Sequence, residues 1–161
     1  MQHYFDRLTD AQAQAFAAKI EEPFKKLPHL PEGITNFFAT IAPWLVGLGG
    51  LLNIVSGLSS ILNSGNMGMF GWVAPLVQVS PAYFVITGVL QIIVGVISLA
   101  AFNPLRERAL RGWMLVFWTT MLGVVQSVVA IAFNFGNIVG VIIGTLIGFY
   151  ILFEMKREYK K

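Results

Sequence analysis

Two stretches of this 161-residue chain contain no Asp, Glu, Lys or Arg: 73 residues at 33–105 and 42 residues at 112–153. A water-soluble domain does not keep so much chain free of charge, because charged residues make up about 25% of an ordinary globular sequence. Here they are 12%, against 56% hydrophobic. A helix needs about 20 apolar residues to cross the hydrocarbon core of a bilayer, so each silent stretch has room for two crossings. The fold class read from this pattern is all-α, a four-helix transmembrane bundle with spans at 34–62, 81–102, 112–133 and 137–153.

All charge falls in three segments, 6–32, 106–111 and 154–161. Lys and Arg number four before the first span (Arg7, Lys19, Lys25, Lys26), three between the second and third (Arg106, Arg108, Arg111) and four after the last (Lys156, Arg157, Lys160, Lys161). The links after spans one and three have none, so the bias of bases toward one side predicts both termini and the middle loop on the cytoplasmic face of the cell membrane. The pI follows from a net charge of only +3, and the natural partners of these bases are lipid head groups rather than nucleic acid. Arg106, Arg108, Arg111, Lys156, Arg157, Lys160 and Lys161 are the candidate head-group residues; fixing the topology is the plainer reading of the same charges.

Residues 1–33 read as a cytoplasmic or interfacial N-terminal helix followed by a proline-rich hinge, and 154–161 as a basic tail. No cleavable leader pattern is present at the start of the sequence. Thr9 and Gln12 have capping-box spacing, and the alanine-rich run behind them favours a helix up to Pro23. Leu8, Phe16 and Ile20 with Ala13 and Ala17 form one weakly apolar side, which either lies on the membrane surface or belongs to a solvated arm. Pro23, Pro28 and Pro31 predict an extended hinge. Span one, at 29 residues, exceeds the core thickness, so its first turn sits in the interface or the helix tilts or bends near Pro43. The segment 63–80, with Met67, Met69, Phe70 and Trp72, reads as an interfacial loop.

In lipid, small residues that let backbones approach and polar residues that bond across mark helix contacts. Span one carries Gly50, Asn53, Gly57, Ser60 and Ser64; span two Gly88, Gln91, Gly95 and Ser98; span three Thr120, Gly123, Ser127, Ala130 and Asn134. Their alternating three- and four-residue steps keep each set on one helical face. Span four instead repeats glycine at every fourth position, Gly136, Gly140, Gly144 and Gly148, a glycine zipper suited to close crossings. The first expectation is that this face packs within the chain; the sharper one is that it joins two protomers. Asn53, Gln91 and Gln126 are intramembrane polar groups, read as interhelical glue or, alternatively, as the lining of a small permeation path. The runs GVLQIIV at 88–94 and GVVQSVV at 123–129 share a pattern in spans of opposite direction, as an inverted repeat would.

The spans carry no Asp, Glu, Lys, Arg or His for a proton relay or ion-coupled site. The chain has no cysteine, which excludes disulfides and thiolate chemistry. His3 and His29 are far apart in sequence and read as surface histidines, so no cofactor, metal or catalytic residue is nominated. The strings KLPHLPEG (26–33) and GFYILFEMKREYK (148–160), with Ala42, Pro43, Trp44 and Leu45 between them, resemble small four-span bacterial membrane proteins without an assigned activity. That resemblance implies a bacterial inner membrane and transfers no functional residue. The function expected is that of a structural or interaction subunit, with membrane lipids and a second copy or another membrane protein as partners. The alternative is a transporter or channel for a small neutral or lipophilic solute.

Overall fold

The computed structural model describes residues 10–64 and 80–159. Thr9, His3, Arg7, the loop residues Met67, Met69, Phe70 and Trp72, and Lys160 and Lys161 lie outside the described residues. Five α-helices follow one another: α1 (Ala11–Glu21), α2 (Glu32–Asn63), α3 (Pro81–Arg106), α4 (Leu110–Ala132) and α5 (Ile138–Met155). Short 3-10 turns occupy Glu22–Lys26 and Lys156–Glu158, and no strand occurs among the described residues. Helices α2 to α5 are long and apolar enough to cross a membrane, the mark of a multi-pass membrane protein.

Local chemistry explains the boundaries. Asp10 caps α1 by accepting the Ala13 N–H at 2.9 Å, in place of the expected Thr9 cap. Pro23 does not extend the chain as expected. It sits at the start of a 3-10 turn, where its missing N–H is no loss. Pro43 leaves α2 unbroken for 32 residues, about 48 Å at 1.5 Å per residue. Helices α3 and α4 end alike. Arg108 at φ 55° and Asn134 at φ 61° take the left-handed position just past the helix. The Ala109 N–H then returns to the Pro104 carbonyl, and the Phe135 N–H to the Ala130 carbonyl, closing Schellman caps at a site glycine usually fills.

Helices α2 and α3 run antiparallel and very close. A Cβ on Gly57 would stand 2.5 Å from the Gly88 carbonyl oxygen, and one on Gly95 2.7 Å from that of Gly50. This register places Trp44 of α2 beside Phe102 and Arg106 at the end of α3, so the first turns of α2 project beyond α3 at the end of the bundle that carries the charges. The buried apolar core gathers at this charged end. It comprises Ala39, Ile97, Ala101, Leu105, Trp113, Met114, Leu115, Phe117, Phe149, Leu152, Phe153 and Met155, with Ala13 and Ala17 from α1.

The arm therefore neither floats in solvent nor lies on lipid by its alanine face. Ala13 and Ala17 bring α1 close against the protein, Phe16 reaches Phe117 and Trp118 with ring centres at 6.3 and 6.0 Å, and Phe24 meets Phe153 at 5.4 Å. Toward the uncharged end α5 stands apart. Ile138, Val139, Ile142, Ile143, Leu146 and Ile147 are each more than half exposed.

Candidate functional site

The first candidate surface is the set of glycines. Gly50, Gly57, Gly88 and Gly95 form one closed seam in which the backbones of the two helices come into direct contact. Ile54 Cγ1 would stand 2.6 Å from a Cβ on Gly95, and Ile61 Cγ1 2.7 Å from one on Gly88, so isoleucines wedge into the notches that the glycines leave. The expectation that span four's glycines pack within the chain is not met. A Cβ at Gly144 or Gly148 would touch nothing within 4 Å, and at Gly140 only Asn137 at 3.9 Å. Gly136 is a turn residue instead, pressed on Ile131 at the α4–α5 link. Gly123 also faces open space, so the runs at 88–94 and 123–129 are not equivalent in packing: Gly88 is locked and Gly123 is not.

Among the described residues Asn53, Gln91 and Gln126 make no bond across helices as glue would; a bond that does cross within the spans runs from Trp113 Nε1–H on α4 to the Leu152 carbonyl of α5, at 2.7 Å. The Asn53 amide donates to the Gly49 carbonyl of its own helix at 2.8 Å. Gln91 sits against Gly57 with its Oε1 buried and unpaired. Gln126 is half-buried on α4. The hydroxyls of Thr87, Thr120 and Ser127 likewise donate to carbonyls one turn back in their own helices.

The second candidate surface is a polar cap at the charged end, which the sequence does not announce. Glu154, at the end of α5 and 6% exposed, accepts the Leu30 N–H and an N–H···O contact from His29 Nδ1, each at 2.8 Å, and is also bonded by Arg157. A carboxylate buried this deeply is tolerated because several donors replace its water. The Tyr150 hydroxyl donates to the Pro28 carbonyl, and Lys156 pairs with Glu21 while lying 5.1 Å above the Trp113 ring. The arm is thus strapped to α5 from Glu21 to Leu30.

Arg108 completes the cap. Its guanidinium reaches Glu158 at 3.1 Å, Asn36 Oδ1 at 2.8 Å and Thr40 Oγ1 at 3.0 Å. These bonds account for a non-glycine residue holding a left-handed backbone, which costs an L-residue on the order of 1 kcal/mol. An open groove of about 690 Å³ beside them is lined by Glu32, Gly33, Thr35, Asn36, Arg157 and Glu158.

Tyr159 shows the same logic in the backbone. Pro43 has no N–H to offer the carbonyl four residues back, that of Ala39. The Tyr159 hydroxyl, 2% exposed as a residue, donates to that orphaned oxygen at 3.3 Å. Burial pushes the phenol up to about 12.

Of the head-group candidates, Arg108, Lys156 and Arg157 are therefore tied to Glu158, Glu21 and Glu154. Arg106 lies 5.7 Å from the ring centres of both Trp44 and Phe102, and Arg111 is half-buried at the start of α4. Sequence reading missed the Glu154 latch; the one signal for it is an acid placed directly after an apolar run. No family model, curated protein or solved structure matches this chain.

Proposed function

We propose that the chain is a non-catalytic membrane-embedded interaction subunit that self-associates through the exposed glycine face of α5. In this reading it sits in the cell membrane with both termini and the polar cap on the cytoplasmic side. The observation that supports it is the contrast among the glycines: those of α2 and α3 are closed by a neighbour, whereas Gly140, Gly144 and Gly148 on an exposed helix are not. Fourfold small-residue spacing lets two identical helices approach closely, and a two-fold pair makes the same face serve both partners. The apolar residues flanking these glycines face lipid in a single copy and pack in a pair.

The chain has no native cysteine, which makes the test direct. Gly140→Cys, Gly144→Cys and Gly148→Cys should each form intermolecular disulfides in native membranes, while Val96→Cys on α3 should not. Gly144→Leu should abolish association in a detergent or nanodisc mass measurement. A strict monomer in lipid at every protein-to-lipid ratio would overturn the proposal. The transport reading has less support, because Asn53 turns to its own helix and Gln91 is wedged against Gly57.

A further inference from the structure

Three of the five described bases that the sequence assigns to lipid, Arg108, Lys156 and Arg157, are paired with acids of the same chain, and a set of unpaired bases lies on the arm. Lys19, Lys25 and Lys26 of the arm are exposed and have no acidic partner among the described residues. Of the four acids at 10–32, Asp10 caps α1 and Glu21 holds Lys156, while Glu22 and Glu32 make no ion pair among the described residues.

Depth fixes where these lysines stand. Helix α5 has 18 residues, a rise of about 27 Å that nearly matches the roughly 30 Å hydrocarbon thickness, so its last turn lies at the membrane boundary. Phe24 packs on Phe149 and Phe153 just there, and Lys25 and Lys26 follow it directly. On the same arm Phe16 and Leu27 are exposed at 45% and 44%. An arm with exposed apolar side chains and unpaired ammonium groups at head-group depth matches the chemistry of an anionic leaflet.

We propose that Lys19, Lys25 and Lys26, held at the interface by the Phe24 anchor, form a docking surface for anionic phospholipid head groups. This rests on the charged end lying at one membrane face and is independent of self-association through α5. Each lysine brought near an anionic surface contributes about fivefold in relative affinity.

The test uses the full chain in nanodiscs containing phosphatidylglycerol and phosphatidylcholine, with native mass spectrometry counting the lipids retained. Ionic strength is kept near physiological, where charges beyond about 8 Å are screened and position outweighs total charge. The wild type should prefer phosphatidylglycerol. Lys19→Gln, Lys25→Gln and Lys26→Gln should each reduce the preference about fivefold, and together remove it. Arginine at all three positions should retain it. Arg106→Gln, away from the contacts that strap the arm, should change it little. A triple glutamine variant that keeps the wild-type preference overturns the proposal, as does a preference that vanishes with Arg106 instead. Binding of an acidic soluble protein by the same lysines, without lipid preference, overturns it too. None of these outcomes bears on the disulfide test of α5, so the two proposals fail separately.

Discussion

The two helix pairs of this molecule use glycine in opposite ways. Between α2 and α3 the glycines are contact points, with the Gly57 and Gly88 backbones approaching so closely that even a methyl group does not fit. In the α4–α5 pair Gly123, Gly144 and Gly148 face nothing within 4 Å, and among the described residues α5 is buried near its charged end, at Phe149, Leu152, Phe153, Glu154 and Met155. Small-residue spacing therefore describes a face that can be approached. Whether it is approached depends on what the chain places opposite.

The sharpest way to break this contrast is Gly57→Leu. Its side chain would meet backbone oxygen rather than a flexible side chain, and overpacking of this kind costs about 3 kcal/mol or more. We expect loss of the α2–α3 contact, read as a collapse of unfolding resistance in a detergent titration. Glu154→Leu tests how the arm is attached to the charged end of α5. It leaves the Leu30 N–H without its acceptor, and removing one member of a buried charge network costs about 3 kcal/mol. Hydrogen exchange in the arm should rise across 21–30 while α2 and α3 stay protected.

Tyr159→Phe is smaller, about 1 kcal/mol, because it leaves one buried carbonyl unsatisfied. In a Pro43→Ala background Tyr159→Phe should be nearly neutral, since the substituted position then supplies the backbone N–H that proline lacks and satisfies the Ala39 oxygen from within the helix. The same tyrosine gives a pH signature. An unfolded phenol ionises near 10, whereas the folded one keeps its proton up to about 12. The native state then binds the extra proton, so this contribution is complete below pH 10 and is lost as pH rises toward 12. Tyr159→Phe should flatten that part of an alkaline unfolding profile. Smallest of all, Gly144→Ala should alter the fold of one copy by less than about 1 kcal/mol, with the gain in helix propensity favouring it. Equal damage from Gly144→Ala and Gly57→Ala in a monomer assay would erase the comparison.

Four apolar helices are legible in the sequence because a bilayer imposes a length and a composition on each crossing independently of its neighbours. The α2–α3 seam was half legible: Gly50, Gly57, Gly88 and Gly95 stand at the right spacing, yet Gly123 has the same spacing and faces open space. The polar cap was nearly illegible. Glu154, His29 and Leu30 lie more than 120 residues apart in pairs that meet, and the mixed charges of the tail read as a solvated end. Arg108 is a case in point. Nothing local favours arginine in a left-handed cap, and its reason is found in Glu158, Asn36 and Thr40.

What the amino-acid order determined by itself is the number of helices long enough to cross and the placement of every charge outside their apolar stretches, because transfer of each segment into lipid is a local free energy. What only the tertiary structure decided is which glycines are closed, which bases are neutralised and which carbonyl receives the Tyr159 hydroxyl. Those outcomes depend on the register and divergence of helices far apart in the chain, and a periodic face carries no information about its partner.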